Sequence, residues 1–592
     1  MRIVLLSMPW AIFYRPSIQL GALAGYLAKH LPEVRVDCLY PYLSVAKDIG
    51  FAEYRKISAG PWAGETLYSG LLWPEHAKQA KKLFCRELPE MGQRFSSLSN
   101  RLHEHGENLV IDHDFSDCEL AGFSVCFSQL TASLYAAAQI KKKYPDLPII
   151  FGGSTCTPAL GASLAEVFSQ VNYVLTGEGE QPLAGLIRYL QGRGPLPANI
   201  IKRSSSGKAD GCPLPKGMEI KDVNSLPVPR YDSYFREMSR LGLSFIPELP
   251  VEFSRGCWWN RCSFCNLNRQ WCGYRFKNHQ KVNTEIRELA SRHQCLDFFF
   301  TDNALPPKEA RKFFQETGNK PPSYRFFAEI RVPETAREWQ IYRQGGLRVI
   351  QVGIEALSEP LLKRMQKGTT VLDNIYAMKL ALTFDIILEG NLILEFPGST
   401  EEDVRQTLRV LDAVMPYRPL AAAAFFLGDG SPVHNRPHEY GIRAVTVHPN
   451  NRLLFPRKIM KKLALPVKGY RGDRMHQRRQ WQPVRQAIAA WTAFHARRKN
   501  SRHLPLEMRD GGDFLIIRQE RPNLPVLHHR LRGMSRAIYL ACGQPIAKKE
   551  LRQRFKTIKE AQLTDFTGDL CAKQLMYENG DHYLALAVEA KT

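Results

Sequence analysis

The first 200 residues alternate short apolar runs with stretches whose apolar side chains recur at helical spacing. The run MRIVLLSM ends at Pro9, and residues 17–30 (SIQLGALAGYLAKH) begin with a Ser17 N-cap and continue with a helical pattern. The alternation resumes later with LAGFSVCFS, TASLYAAAQIKKKYP, LPIIFGGS and VNYVLTGEGE. Alternation of strands and helices predicts a doubly wound, Rossmann-like parallel sheet over residues 1–195.

Two stretches interrupt this pattern. Residues 43–112 contain Trp62, Trp73 and several Gly and Pro residues, and they are predicted to be an irregular insertion in the first domain. Residues 196–248 are rich in Pro, Gly, Ser and Lys, which predicts a linker with little regular structure.

A second alternating series occupies residues 249–445. Its strands are VEFSRGC, DFFFTDN, YRFFAEIRV, VIQVGIEA, IILEGNLILEFPG and LAAAAFFL, with helical patterns between them. Six such units predict a partial (β/α)6 barrel with functional residues at the carboxyl ends of its strands. A basic linker is expected over residues 446–512. Residues 513–592 then show short strands, three helices and a hairpin at Asn579-Gly580, which predicts a winged-helix-like α+β domain.

The carboxyl ends of the strands in the first sheet are rich in small residues. In open α/β sheets, ligands bind outside these ends. The candidate ligand-contacting residues there are Ser128, Gly152, Gly153, Gly177 and Gly179.

Positive charge is concentrated near the end of the chain. The whole chain has 81 Lys and Arg residues against 58 Asp and Glu, and residues 451–500 hold 14 of the basic residues with a single acid, Asp473. Such a run fits a solvated linker, a surface for nucleic acid or a surface for an acidic peptide, and composition leaves the three open.

The chain shows no run of eighteen uncharged apolar residues, and its start lacks a small-x-small cleavage site. Its thirteen cysteines are an odd number in a large chain, which argues for reduced thiols rather than a disulfide framework. We therefore expect a cytoplasmic protein that does not associate with a membrane.

The most specific signal is a group of three cysteines directly after the first barrel strand. Cys257, Cys262 and Cys265 lie in VEFSRGCWWNRCSFCNLN with the spacing C-x4-C-x2-C. Three thiolates leave one iron of a [4Fe–4S] cluster without a protein ligand, and that iron can chelate a small molecule. The alternative is a zinc site with Cys272 or His279 as its fourth ligand.

A three-cysteine loop at the head of a partial barrel, with an aromatic residue before the last cysteine, resembles the radical S-adenosylmethionine (radical SAM) superfamily. The phrases VGIEALSEPLLKRMQKGTT, GNLILEFPGST and FTDN agree with it. The usual spacing in that superfamily is C-x3-C-x2-C, so the extra residue here is a departure. The resemblance implies a [4Fe–4S] cluster on the three cysteines and S-adenosylmethionine (SAM) at the open iron. It implies SAM contacts from Glu355 to the ribose, from Ile393 near the adenine, and from Asp302 and Asn303 near the methionine amino end.

The first domain resembles the cobalamin-binding domain of B12-dependent radical SAM enzymes, because FGGSTCTP and VLTGEGEQPL precede the barrel. Gly152 and Gly153 would let the backbone approach the nucleotide tail of cobalamin. The D-x-H-x-x-G motif is missing, and the sequence has no histidine between His113 and His279. The resemblance therefore implies cobalamin without a histidine ligand from that loop. The alternative is a degenerate domain that binds nothing.

The narrowest resemblance is to the ribosomal-peptide (RiPP) maturation radical SAM proteins, of the type called protein 1. It rests on MPWAIFYRPSIQLGALAGYL, YPYLSVAKDIG, SRGCWW, KGTT and SPVHNRPHEYGI. It implies a peptide C-methyltransferase, in which a 5′-deoxyadenosyl radical activates an unreactive carbon and methylcobalamin supplies the methyl group. It further implies a ribosomally made precursor peptide with an acidic leader, which the C-terminal domain would hold. An electron donor such as flavodoxin or ferredoxin is the other expected partner.

Three alternative functions stay open at this point. The same cofactors can support epimerisation, cyclisation or rearrangement, and the enzyme can act on RNA or on a small molecule. Methylthio-transferring tRNA enzymes carry three more cluster cysteines in their first domain. Here the cysteines of that domain are scattered, so a nucleic-acid partner is not expected. The third alternative is a non-catalytic, zinc-containing winged-helix regulator.

Overall fold

The computed structural model describes residues 1–204, 209–210, 219–267, 271, 273–318, 323–332 and 335–590. The strands of the first sheet are β1 (Arg2–Leu6), β2 (Arg35–Leu39), β3 (Leu120–Ser124), β4 (Ile149–Gly152), β5 (Tyr173–Leu175), β6 (Ile200–Arg203) and β7 (Ala209–Asp210). Their order is β2-β1-β3-β4-β5-β6-β7. β1 to β5 are parallel, while β6 and β7 pair antiparallel. We call the part of the chain built around this sheet the first domain.

The parallel sheet is present as predicted, but the segment from 196 to 248 is not a structureless linker. It supplies the edge strands β6 and β7, and later a helix at Asp232–Arg240. The apolar pair Ile200 and Ile201 is buried in the core of the first domain, which is why this segment joins the sheet.

The stretch expected to be an irregular insertion is helical. Its apolar and aromatic side chains, such as the fully buried Leu43, Tyr54 and Leu67, pack in the core of the first domain, while Gly50 and Pro74 lie at helix ends. The helices of the first domain are α1 (Ile18–His30), then α2 (Pro41–Ile49), α3 (Phe51–Ser58), α4 (Ala63–Leu72), α5 (Ala77–Glu87) and α6 (Phe95–Asp112) in the insertion, and α7 (Leu130–Lys143), α8 (Pro158–Val167) and α9 (Glu180–Leu190).

The second α/β unit is a curved parallel sheet, which we call the barrel. Its strands, with a small β-ribbon near the start, are β8 (Leu249–Val251), β9 (Ser254–Arg255), β10 (Arg275–Phe276), β11 (Asp297–Phe300), β12 (Arg325–Ile330), β13 (Leu347–Val352), β14 (Ile387–Glu389), β15 (Asn391–Leu394) and β16 (Ala421–Ala424). Five strands pair in the order β14-β13-β12-β11-β8, and β15 pairs with β16. A parallel bridge between Glu355 and Leu392 joins the two groups.

Helices cover the outer face of the barrel, which leaves the carboxyl ends of its strands free for chemistry. Thr370 and Thr400 each form a capping box, with Asp373 and Asp403 respectively, and so fix where two of these helices begin. The helix before the barrel, α10 (Asp232–Arg240), instead packs on β2 of the first sheet. The barrel helices are α11 (His279–His293), α12 (Pro307–Gly318), α13 (Ala336–Gln344), α14 (Glu359–Arg364), α15 (Val371–Thr383) and α16 (Glu401–Val414).

The stretch expected to be a basic linker, residues 446–512, is structured. Its apolar positions, including Val484 and Trp491, are buried, and the Trp491 indole N–H donates to the Tyr417 carbonyl oxygen at 3.0 Å. The charge run masked this helical pattern because the basic residues lie on the solvent side. The elements from the end of the barrel onward are β17 (Leu427–Gly428), α17 (Pro432–Asn435), β18 (Ala444–Val447), α18 (Pro449–Leu454), α19 (Arg457–Met460), β19 (Val467–Arg471), α20 (Arg474–Gln480) and α21 (Gln482–Arg497).

The C-terminal domain, residues 506–590, contains three helices followed by a hairpin. Its elements are β20 (Leu506–Asp510), β21 (Phe514–Gln519), β22 (Leu527–Arg532), α22 (Gly533–Ala541), β23 (Ile546–Ala547), α23 (Lys548–Arg554), α24 (Glu560–Ala572), β24 (Met576–Asn579), β25 (His582–Ala585) and β26 (Val588–Glu589). The buried Lys379 of α15 donates to the carbonyl oxygens of Gly543 at 2.6 Å and Ala585 at 2.7 Å, and so fastens this domain to the barrel. Within the described part of the chain, no helix is long and apolar enough to cross a membrane.

Candidate functional site

The three predicted cysteines lie in one loop beyond the carboxyl end of β8. We call residues 256–267 the cluster loop. It begins at Gly256, whose φ of 85° is in the left-handed region, and a Cβ atom there would lie 2.8 Å from the Gly273 carbonyl oxygen. Only glycine fits this turn, which directs the chain from β9 to Cys257.

The cluster loop is held against the end of α14. Ser263 donates its N–H to the Met365 carbonyl oxygen at 2.9 Å, and its hydroxyl donates to the Arg364 carbonyl oxygen at 3.1 Å. The Trp259 indole N–H donates to the Gln366 carbonyl oxygen at 2.9 Å. These bonds fix the loop conformation despite the extra residue between the first two cysteines.

The three thiols share one local environment. Burial raises the pKa of the Cys265 thiol to about 11, and the neighbouring Cys262 and Cys257 add to this increase. Burial also raises the pKa of Cys262, against the opposing effect of Lys367 and Arg331. Three soft sulfur donors beside two cations fit a cluster held by thiolates, because the cations offset the negative charge of the ligated sulfurs.

The zinc alternative finds little support in the described residues. Both ring nitrogens of His279 already face carboxylates, Nδ1 at 2.7 Å from Glu309 and Nε2 at 2.9 Å from Glu316. Cys272, the other proposed fourth ligand, lies outside the described residues.

Glu355 and Ile393 are brought together at the carboxyl ends of neighbouring strands. The Ile393 N–H donates to the Glu355 carbonyl oxygen at 2.8 Å, and the Glu355 N–H donates to the Asn391 carbonyl oxygen at 3.0 Å. The Glu355 carboxylate lies 3.2 Å from Nζ of Lys367. This pairing aims the carboxylate at the side of the barrel where the cluster loop lies.

Asp302 and Asn303 are placed differently from one another. Asp302 is 2% exposed, and its carboxylate accepts the Phe253 N–H at 3.0 Å and the Ser254 hydroxyl. Burial raises the pKa of Asp302 to about 7. Asn303 instead lines the cavity described below. Asp302 thus supports the strand ends, while Asn303 is available to a ligand.

Three charged residues that sequence reasoning did not single out surround the cluster loop. The Arg331 guanidinium stacks 4.3 Å from the Trp259 ring centroid, and Lys367 pairs with Glu355. Glu329 lies on β12, and burial together with the Glu355 charge raises its pKa to about 7. The KGTT phrase contained a signal for Lys367, but nothing in the sequence around Arg331 or Glu329 connects them to the cysteines.

A cavity of about 290 Å³ lies between the first domain and the barrel. Its first-domain wall contains Gly152, Gly153, Gly177 and Gly179, together with apolar side chains from α1 and the sheet. Its barrel wall contains Ser254, Arg255, Gly256, Thr301 and Asn303. The glycine-rich strand ends therefore face the start of the cluster loop across a shared space.

At the strand ends the glycines present backbone instead of side chains, which lets a large ligand such as cobalamin approach the chain closely. No histidine is among the described residues that line the cavity. Gly153 has a φ of 103°, and a Cβ atom there would lie 2.9 Å from the Val125 carbonyl oxygen. Ser128, also predicted to contact a ligand, is absent from the lining, and its hydroxyl donates to the Gly60 carbonyl oxygen at 3.4 Å.

A comparison with known protein families identifies the barrel. Residues 251–411 match the model of the radical SAM superfamily. The chain contains a radical SAM domain. This domain implies a [4Fe–4S] cluster and SAM as cofactors, in agreement with the three-cysteine loop.

Two curated relatives of this chain are named for different activities. The anaerobic magnesium-protoporphyrin IX monomethyl ester cyclase of Cereibacter sphaeroides is 26% identical over 313 residues, which cover 49% of this chain and 49% of the cyclase. An uncharacterised methyltransferase of Pyrococcus horikoshii is 27% identical over 305 residues, covering 50% of this chain and 64% of that protein. The chain thus spans about half of the length of the cyclase.

Two solved structures have folds similar to that of this chain. The cobalamin-dependent SAM radical enzyme OxsB, with aqua-cobalamin and SAM bound, has a TM-score of 0.51 at 17% identity, covering 78% of this chain and 56% of OxsB. The radical SAM methyltransferase TsrM from Kitasatospora setae, with tryptophan substrate and a SAM analogue, has a TM-score of 0.54 at 16% identity. It covers 83% of this chain and 88% of TsrM. The fold is therefore similar to those of the cobalamin-dependent radical enzyme OxsB and of the radical SAM methyltransferase TsrM.

Proposed function

We propose that this protein is a cobalamin-dependent radical SAM methyltransferase that methylates an unactivated carbon of a ribosomally made peptide. One observation carries the cofactor part of the proposal. The glycine-rich strand ends of the first domain and the residues that lead into the cluster loop line the same cavity of about 290 Å³. A ligand held by the glycines therefore lies next to a cluster held by the cysteines.

The residues of the chain have separate tasks in this proposal. Cys257, Cys262 and Cys265 hold the cluster and leave one iron for SAM. Glu355, oriented by Lys367, holds the ribose hydroxyls of SAM. When bound, the cluster and SAM supply a radical that removes hydrogen from carbon, and cobalamin supplies the methyl group.

The apolar part of the cavity wall excludes water from the reaction. Leu5, Ile18, Leu23, Phe123 and Leu175 contribute to the first-domain wall. A reactive carbon species needs such a lining because water and exposed side chains would otherwise consume it. The first domain supplies most of this apolar surface.

A peptide substrate is supported by the sequence resemblance and by the charge of the last quarter of the chain. The α20 residues Arg474, Arg478 and Arg479 are exposed, as are Arg457 and Lys458 of α19. An acidic leader peptide would be attracted to this surface. We propose that the C-terminal domain is winged-helix-like and holds the leader, while its anchor at Lys379 keeps it next to the barrel.

The first test concerns the cluster. Anaerobically purified and reconstituted protein should absorb near ~400 nm and cleave SAM, and Cys257→Ala, Cys262→Ala and Cys265→Ala should each abolish both properties. Cys85→Ala is the matched control, since Cys85 lies on α5 outside the cluster loop. A colourless wild type, or a cysteine variant that still cleaves SAM, would refute the assignment.

The second test concerns the product. Co-expression with a small precursor peptide encoded beside the gene should increase the peptide mass by about 14 Da per transferred methyl group. A product with unchanged mass and altered stereochemistry would replace methylation by epimerisation. A loss of hydrogen would indicate cyclisation. Cobalamin should remain with the wild-type protein through gel filtration, and its absence would remove cobalamin from the proposal.

A further inference from the structure

A buried cluster of charged residues joins the first domain to the cluster loop. Arg255, two residues before Cys257, is only 5% exposed, and its guanidinium faces three carboxylates. Nη1 lies 3.1 Å from Glu178, Nε lies 2.8 Å from Glu252, and Nη2 pairs with Glu180. Glu178 and Glu180 belong to the first domain, where they alternate with Gly177 and Gly179 of the cavity wall.

Glu178 also bridges two arginines of the barrel. Arg255 and Arg275 lie directly opposite each other on β9 and β10, a position in which two like charges repel. Nη2 of Arg275 lies 2.7 Å from the second carboxylate oxygen of Glu178. The Glu178 carboxylate further accepts the Ile220 N–H at 2.8 Å. The small ribbon that leads into the cluster loop is therefore completed by a carboxylate from the other domain.

The backbone that connects this network to the cluster ligand Cys257 is short and conformationally restricted. Gly256 alone separates Arg255 from Cys257, and its left-handed turn has no space for a side chain. A shift of the Arg255 backbone must therefore move Cys257. The five N–H donors of a guanidinium are spread over three nitrogens, and each nitrogen of Arg255 faces a different carboxylate. Lysine has its three donors on one nitrogen and cannot reproduce this spacing.

We propose that Arg255 is a positioning residue that locks residues 177–180 of the first domain onto the cluster loop, with Glu178 as its essential partner. The lock sets the distance between the glycine wall and the cluster. Its functional consequence rests on the proposed function, because it concerns transfer between the ligands of the two walls. Transfer across the cavity then requires Arg255, whereas SAM cleavage at the cluster does not require residues 177–180.

The first arm of the test needs no cofactor. In the apoprotein, Arg255→Lys and Glu178→Gln should each make amide hydrogen exchange at least about tenfold faster in peptides covering residues 173–180 and 252–257. Arg15→Lys is the matched control. Arg15 also crosses between the two units, with Nη2 at 2.6 Å from Glu248 and its guanidinium 3.6 Å from the Phe299 ring, but it is not part of the cavity wall.

The second arm uses the loaded enzyme. In both variants the methyl groups transferred per SAM cleaved should fall by about tenfold or more, a larger fall than any in the ~400 nm absorbance or in SAM cleavage itself. The effect of the double variant should be smaller than the product of the two single effects, because both single variants remove the contact between Arg255 and Glu178. A role in general stability would instead lower cleavage and transfer together.

The outcomes separate this inference from the proposed function. Wild-type exchange rates in Arg255→Lys and Glu178→Gln overturn the lock, and so does a wild-type transfer ratio. If Arg255→Lys does not fold, Glu178→Gln decides alone. A wild-type protein that retains no cobalamin refutes the proposed function, whereas the exchange measurement still tests the lock.

Discussion

On the barrel side of the cavity, Ser254, Arg255 and Asn303 present side chains, whereas on the first-domain side Gly152 and Gly153 present backbone. The barrel wall offers charged and hydrogen-bonding groups to a ligand. At its glycine-rich strand ends, the first-domain wall lets a ligand approach the backbone closely, because glycine has no side chain. The two walls of one cavity thus differ in whether side chains or backbone would contact a ligand.

This difference determines how the residues of each wall should be interpreted. A charged residue of the barrel wall, such as Arg255, acts through its side chain. A glycine in the other wall can be required by the ligand or by the backbone. Gly153 is required by the backbone, since its φ is 103° and a Cβ atom would meet Val125. Gly152 has no positive φ, and a Cβ atom there would make only ordinary van der Waals contact, so a requirement for glycine there would come from the ligand.

The largest effect is expected for Gly153→Ala. The backbone conformation alone should cost about 1–3 kcal/mol, and the contact with the fixed Val125 backbone adds to this. The variant should lose cobalamin retention and unfold at lower temperature, with the ~400 nm absorbance kept.

Gly152→Ala is the matched control for this variant. A Cβ atom there would lie 3.6 Å from Cβ of Leu175, which is ordinary van der Waals contact. Its melting temperature should equal that of the wild type, so that any loss of cobalamin retention reports the ligand. Equal stability of the Gly153 variant and the wild type would contradict the backbone argument.

A smaller effect, on iron content instead of cobalamin retention, is expected for Gly368→Ala in the barrel. Gly368 has a φ of 70°, and its Cβ atom would lie 2.1 Å from the Trp259 ring. The ring must move, so the cluster loop should loosen and hold less iron, at a cost of about 1–3 kcal/mol for the backbone conformation. Iron and cobalamin content should be measured together. Loss of cobalamin with full iron would show that the two walls are not independent in this way.

The smallest effect is expected for Asp302→Asn, and it depends on pH. Burial raises the pKa of Asp302 to about 7, above its unfolded value of 3.8. The folded state therefore binds this proton more tightly, so the stabilisation is complete below the unfolded pKa and is lost as pH rises through about 7.

The asparagine variant cannot lose this proton. The fall in the free energy of unfolding of the wild-type apoprotein between about pH 5 and pH 8, measured by thermal melts, should therefore be reduced in the variant by an amount of the order of 1 kcal/mol. Asn303→Ala is the matched comparison, since Asn303 lines the cavity and should change SAM affinity without this pH dependence. An identical pH dependence in Asp302→Asn and the wild type would exclude Asp302 as its source.

The sequence predicted those parts of the fold in which apolar residues recur with a clear strand or helix period. The parallel strands of the first domain and the barrel came from apolar runs of strand length, and the cluster loop came from three cysteines. The insertion was misread because residues such as Gly50 and Pro74, which separate its helices, resemble loop signals. Residues 446–512 were misread because arginines and lysines hid the buried positions Val484, Ile488 and Trp491.

The candidate site was predictable only where one stretch of chain carries it. Cys257, Cys262 and Cys265 are a local motif, so their association needed no tertiary information. Arg331 lies more than sixty residues from the cysteines in sequence, and only the curvature of the barrel brings its guanidinium over Trp259. The lock between Arg255 and Glu178 joins two domains, and no local pattern contains it.

The helical insertion has a consequence for how the first domain can hold an anion. The Glu65 side chain of α4 accepts the N–H groups of Leu130 at 3.0 Å and Thr131 at 2.8 Å, at the start of α7. In α/β proteins the positive end of a helix macrodipole commonly binds phosphate. At the start of α7 this position is already occupied by the Glu65 carboxylate. Any phosphate-bearing ligand of this domain must be held by groups other than the amino end of α7.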